Sequence, residues 1–106
     1  MRRSNFDGLD NGIQYGPLFM DISGRRLLQN GDEILLTQKE FELLELLLEN
    51  QGRVFTRQML IDRLWDMDAE VEDRIVDSHI KNLRKKLDMD YIETIRGVGY
   101  RIAKIH

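Results

Sequence analysis

Between residues 73 and 87 the chain sets Arg74, Ser78, Lys81, Asn82 and Lys85 at intervals of three and four, with Arg84 beside them. Guanidinium and ammonium groups hold anions, a hydroxyl bonds in either sense, and a carboxamide offers a donor and an acceptor side by side. Three to four residues is the spacing at which side chains share one face of a helix. The set is therefore suited to holding an anionic, hydrogen-bonding partner rather than to making and breaking bonds. The chain has no cysteine and two histidines, His79 and His106, and its carboxylates fall mostly on helix surfaces. No nucleophile, base and orienting group converge, so no enzyme activity, metal or cofactor is expected.

Two other stretches invite chemistry and fail on detail. The acidic run Asp66, Asp68, Glu70 and Glu72 suggests calcium, but an EF-hand loop counted from Asp66 needs Gly where Val71 stands and Glu where Asp77 stands. Gly97-Val98-Gly99 is no dinucleotide fingerprint, since Ile102 occupies the third glycine's place and no strand-to-helix turn is expected there. Its glycines are read as supplying turn geometry.

The elements that must position the polar set follow from periodicity. Val76, Ile80, Leu83 and Leu87 fall in a narrow arc opposite it, with Ile75 and His79 on one flank and Arg84 on the other, which predicts a helix over 73–87. Thr37-Gln38-Lys39-Glu40 is a capping box, and the broad leucine stripe after it predicts a central core helix ending near Asn50-Gln51-Gly52. Thr56 starts a second, short helix through Trp65, with Phe55 and Leu60 as a hydrophobic staple. Residues 66–72 read as a loop. Upstream, LFMDI, RRLLQ and EILL are divided by Ser23-Gly24 and Asn30-Gly31-Asp32, which predicts a small antiparallel sheet of three clear strands and a weak fourth at Ile13–Tyr15. YIETI and YRIAKI form a closing hairpin through Arg96–Gly99. Residues 1–14 read as a linker remnant or frayed tail and 15–106 as the domain. The fold class is α+β: a winged helix-turn-helix with an N-terminal antiparallel sheet, three helices and a C-terminal β-hairpin wing.

With 106 residues the chain suits one domain. It has no apolar run near the roughly 20 residues of a membrane span and no signal-peptide stretch, so a soluble, cytoplasmic protein without a membrane partner is expected. Net charge is −3, but residues 73–106 carry eight Lys or Arg against five Asp or Glu. The excess lies mostly in Arg74, Lys81, Arg84, Lys85 and Lys86, opposed over 74–86 only by Asp77. Such asymmetry makes a local anion-binding face on an acidic protein.

Three strings, LTQKEFELLELLLENQGRVFTRQMLIDRLW, EDRIVDSHIKNLRKKL and YIETIRGVGYRI, closely resemble the effector domain of OmpR/PhoB-type response regulators, over about Leu18 to Ile102. The resemblance implies a bacterial two-component transcription factor whose receiver domain is absent from this chain, and a four-stranded sheet packed on three helices. It implies helix 73–87 in the major groove of double-stranded DNA and the wing, 94–101, on the backbone or minor groove. Copies would bind a direct-repeat operator as a head-to-tail dimer; the free domain is expected to be a monomer, since no long apolar seam is left beyond what the core uses. Contacts carried over by position are Arg74, Ser78, His79, Lys81, Asn82 and Arg84 on the helix, Thr94, Arg96 and Tyr100 on the wing, and Trp65 toward a phosphate. Lys85 comes from helical geometry. The resemblance also offers the loop of Asp66, Asp68 and Glu70 to RNA polymerase. Relatives often have Thr where this chain has Ile75 and Arg where it has Asn82; an Asn pairs with adenine where Arg favours guanine, which shifts the expected half-site toward A·T.

Plainer readings stand beside these. His79 serves as a core or cap histidine or as a contact; Ile75 is partly buried or meets a thymine methyl; Trp65 is core with room for a phosphate role. Lys85 and Lys86 are an ordinary solvated face or attract phosphates, Tyr100 is packing first, and the acidic loop is a polymerase contact or merely solvated. A winged helix used only for protein association is the alternative function, supported by the acidic loop and a pI near 5.4.

Overall fold

Residues 12–104 are described by the structure, a computed structural model. Strands β1 (Gly12–Tyr15), β2 (Leu18–Asp21), β3 (Arg26–Gln29) and β4 (Asp32–Ile34) form an antiparallel meander in chain order. Alternate side chains of its inner strands, Leu18, Met20, Leu27 and Gln29, are buried. Asn30 and Gly31, at φ of 54° and 87°, make the β3–β4 turn, the conformation that singled out Asn-Gly in the sequence. The weak fourth strand is present and runs in register from Gly12 opposite Asp21 to Tyr15 opposite Leu18. Strand β1 thus includes residues 12–14, which the sequence assigned to the linker segment. Tyr15 explains why: its hydroxyl donates to the Ala103 carbonyl and its ring meets that of Tyr91 edge-on at 6.0 Å, both partners lying at the far end of the chain. The rest of the segment read as a linker, residues 1–11, lies outside the described residues, as do Ile105 and His106.

Helix α1 (Gln38–Glu49) starts at the expected capping box, with Thr37 Oγ1 accepting the Glu40 N–H at 3.2 Å and Glu40 Oε1 accepting the Thr37 N–H at 3.0 Å. Phe41, Leu43, Leu44, Leu47 and Leu48 are buried, so α1 is the core helix. Glu40 itself is 2% exposed, and the same Oε1 takes a hydrogen bond from Lys86 Nζ at 2.6 Å. Burial pushes the Glu40 carboxyl up, but the Lys86 hydrogen bond, the Thr37 N–H and the Lys86 charge outweigh it and hold the group below the usual carboxylate range. Lys86 is thereby turned from the polar face toward the start of α1.

Helices α2 (Arg57–Leu64) and α3 (Arg74–Lys86) follow the sequence expectations, Thr56 capping α2 through its hydroxyl at 3.0 Å from the Met59 N–H. A second sheet differs from them. Strand β5 (Phe55–Thr56) pairs with β7 (Gly99–Ile102), which pairs with β6 (Ile92–Ile95), so the hairpin has a third strand. Two residues show no period, and Phe55 and Thr56 had read only as staple and cap. Gly99 is corrected with it. Gly97, at φ 73°, supplies the turn, whereas a Cβ on Gly99 would stand 1.9 Å from the Phe55 carbonyl oxygen. Gly99 is there for close approach of β5 to β7.

Gly99→Ala is therefore expected to cost about 3 kcal/mol, the upper end for overpacking, against about 1 kcal/mol for Gly97→Ala; urea unfolding of both variants checks the order. A folded-state carboxyl held below its usual range gives stability that is complete above the unfolded value and is lost as pH falls through the folded one. Urea midpoints should decline below about pH 4, and Glu40→Gln should flatten that decline while costing about 1–3 kcal/mol at neutral pH.

Candidate nucleic-acid interface

Thirteen residues make α3, and its two faces separate as the 3.6-residue period requires. Val76, Ile80 and Leu83 are buried, with Leu87 just past the last turn. Arg74, Ser78, Lys81, Asn82 and Lys85 are all exposed on the opposite side. Arg84, Lys85 and Lys86 also lie in the last turn, where cations complement the helix dipole, so part of the basic cluster serves the helix itself. Arg74 Nε sits 2.6 Å from Glu72 Oε1. Among the described residues, Lys81 and Lys85 on the helix and Arg96 at the wing tip stand in no ion pair.

The flanks behave differently. Ile75 is half-buried at the core margin, its plainer reading. His79 and Trp65, which ends α2, lie with ring centres 5.5 Å apart and planes tilted by 42°, and the Lys39 ammonium lies 5.3 Å from the Trp65 ring centre. Both rings are half-buried, so the pair is a ledge beside the polar face rather than part of it.

Two of the carried-over positions, Arg84 and Tyr100, are engaged within the domain, and a third, Thr94, is exposed but accepts from one of them. Arg84 Nη2 donates to the Ile92 carbonyl at 2.6 Å and to Thr94 Oγ1 at 2.8 Å, which places its guanidinium against the wing. Tyr100 is 5% exposed and its hydroxyl donates to Asp77 Oδ1. The same oxygen accepts Arg57 Nε–H at 2.8 Å. Burial pushes the Asp77 carboxyl up, but the Tyr100 and Arg57 hydrogen bonds and the Arg57 charge outweigh it and hold it below its ordinary range. Arg57 and Asp77 had no part in the sequence reading of the site. The signal for Asp77 was its place as the one carboxylate inside a basic stretch.

At the wing tip, Arg96 and Val98 are exposed, and the Val98 N–H closes the turn on the Ile95 carbonyl at 2.9 Å. The loop between α2 and α3 presents Asp66, Asp68 and Glu70 to solvent, with Met67 fully exposed among them and Val71 packed against the core. Ile61, Trp65, Met67 and Val71 line a cavity of about 450 Å³ under this loop. Among the described residues no group of three His, Asp or Glu is placed to hold a metal ion, and no helix is long and apolar enough to cross a membrane.

The family described as "Transcriptional regulatory protein, C terminal" matches residues 31–102. The regulatory protein VanRB of Enterococcus faecalis is 49% identical over 104 residues, covering 98% of this chain and 46% of its own length. The chain spans about half the length of the curated relatives it matches. Among solved structures, the response regulator DrrB, an OmpR/PhoB homologue from Thermotoga maritima, superposes with a TM-score of 0.81 at 38% identity over 89% of this chain and 45% of that one. The DNA-binding domain of Klebsiella pneumoniae RstA, solved in complex with the RstA box, superposes at 0.78 with 31% identity, over 87% of this chain and 96% of that one. With the family match covering residues 31–102 and these superpositions, the chain belongs to the OmpR/PhoB family of transcriptional regulatory proteins, as a C-terminal domain of that family.

Proposed function

We infer that this domain binds double-stranded DNA with sequence preference and controls transcription as the effector part of a bacterial two-component response regulator. The observation that carries the reading is the exposed row on α3 set directly against a buried seam, because a helix so mounted enters a major groove about 12 Å wide with its hydrogen-bonding side down. Lys81 and Lys85 meet phosphates, Ser78 and Asn82 face base edges, and Arg96 reaches the backbone or minor groove from the wing. Arg74 adds charge at the start of the helix, and the Trp65 indole donates to a phosphate from the ledge it shares with His79. The solved RstA complex supports this use of the fold.

The remaining partners belong to the same reading. Two copies sit head to tail on a direct repeat and separate when free, a receiver domain of the same protein regulates them, and the work is done in the cytoplasm. Asp66, Asp68 and Glu70 meet RNA polymerase. A module for protein association alone accounts for the acidic loop but leaves Lys81, Lys85 and Arg96 without purpose. Steep loss of duplex affinity with rising salt distinguishes DNA binding from that alternative, which has no such affinity to lose.

Asn82→Ala is expected to cost about 1–3 kcal/mol on a duplex selected from a random pool and much less on unrelated duplexes. Lys81→Ala should weaken both alike and reduce the salt slope by about 1. Equal losses for Asn82→Ala on both duplexes would mean that α3 lies rotated in the groove. Neutralising Asp66, Asp68 and Glu70 together should leave duplex affinity intact or slightly raised while abolishing activation in the full-length regulator; normal transcription from a target promoter would remove the loop from the mechanism.

A further inference from the structure

A helix in the major groove and a hairpin on the neighbouring backbone act together only if the angle between them is fixed before DNA arrives. The connection between α3 and β6, residues 87–91, is anchored at its ends by the buried Leu87 and Tyr91 and at Asp88, whose N–H donates to Gln29 Oε1 at 2.8 Å. Side chains outside the connection tie α3 to the wing sheet directly. Tyr100 lies on β7, the central strand of the wing sheet, paired with Phe55 of β5 on one side and Thr94 of β6 on the other. Its hydroxyl reaches Asp77 near the start of α3, and Asp77 in turn holds Arg57 of α2. Seven residues further along α3, two helical turns, Arg84 reaches the opposite edge of the sheet through the Ile92 carbonyl and Thr94 Oγ1. The guanidiniums of Arg57 and Arg84 lie 5.6 Å and 5.8 Å from the Tyr100 ring centre. The recognition helix is thus tied to the wing at two points two turns apart, one on the central strand and one on an edge strand. A rod tied once can pivot about the tie; a rod tied twice cannot.

We propose that Asp77–Tyr100 and Arg84–Thr94 are a double tie that sets the angle between α3 and the wing, so that Asn82 and Arg96 engage one duplex at once. Arg84, Thr94 and Tyr100 are then positioning residues, acting through the wing rather than on DNA. A wing held in place beforehand loses little freedom on binding, whereas a loose one must be ordered at the cost of affinity. The inference rests on the DNA-binding reading for its purpose, but the tie itself is a property of the free protein.

Tyr100→Phe and Thr94→Val each remove one hydroxyl without altering charge and with little change in bulk, and the double variant cuts one strand of each tie. In the free domain, backbone amide order parameters of Arg96–Val98 should fall from a rigid value of about 0.85 in the parent to below about 0.6 in the double variant. Affinity for the selected duplex should fall about tenfold or more, and Arg96→Ala should cost less in the loosened background than in the parent. If the wing stays rigid, the tie is refuted. Reduced affinity with a rigid wing and a fully additive Arg96→Ala would make the two hydroxyls direct DNA contacts. Should the double variant fail to fold, Arg84→Lys replaces it, keeping the charge but not the planar fork that bonds two acceptors. A parent that binds no duplex at any salt would overturn the functional reading, while the order parameters would still decide the tie.

Discussion

Burial of Val76, Ile80 and Leu83 is the constraint on which the rest depends. Alone, a helix of 13 residues carrying five cations is too short and too polar to persist in water. It persists because one narrow arc is sealed against the core built on α1. Successive residues lie about 100° apart, so turning α3 by one position would bring Leu83 into solvent and an amide or ammonium into the core. The hydrophobic core, and not any partner, therefore decides that Ser78, Lys81, Asn82 and Lys85 face outward together. Function inherits its orientation from packing.

Charge is sorted by the same frame. Asp77 and Glu40 hold Arg57 and Lys86 through hydrogen-bonded pairs, and Arg84 is taken up by the wing, so much of the basic excess is spent inside the domain. Among the described residues, the cations of α3 and the wing tip that stand in no ion pair are Lys81, Lys85 and Arg96; Arg53, Arg63 and Lys104 are unpaired elsewhere. Net charge of −3 is thus compatible with an anion-binding face, although the acidic loop runs directly into α3 and Glu72 pairs with Arg74 at its start.

Much of this was legible in the sequence where the cause is local. The capping box at Thr37, the Asn30-Gly31 turn and the period of α3 are decided by residues within one or two turns of each other, and the structure has them where the sequence placed them. What escaped, or was only weakly legible as β1 was, depends on distant partners. β1 is held by Tyr15 against Ala103 and Tyr91, β5 by two backbone pairings to β7, and Gly99 by a carbonyl more than forty residues away. Lys86 looked solvent-facing until Glu40 arrived from the start of α1. None of these leaves a periodic trace.

The candidate site divides along the same line. Ser78, Lys81 and Asn82 take no part in the internal ties, and their place on the exposed face could be read from helical spacing alone. Arg84, Thr94 and Tyr100 came from resemblance, which carries positions but not the direction in which a side chain points. Proximity to a groove is required equally of a residue that touches the duplex and of one that holds the touching elements in place. Only the partner of each polar atom separates the two, and here those partners are Ile92, Thr94 and Asp77. On this division Asn82 stands free of the frame, while Tyr100 is part of it, so the two positions differ in what the rest of the domain requires of them.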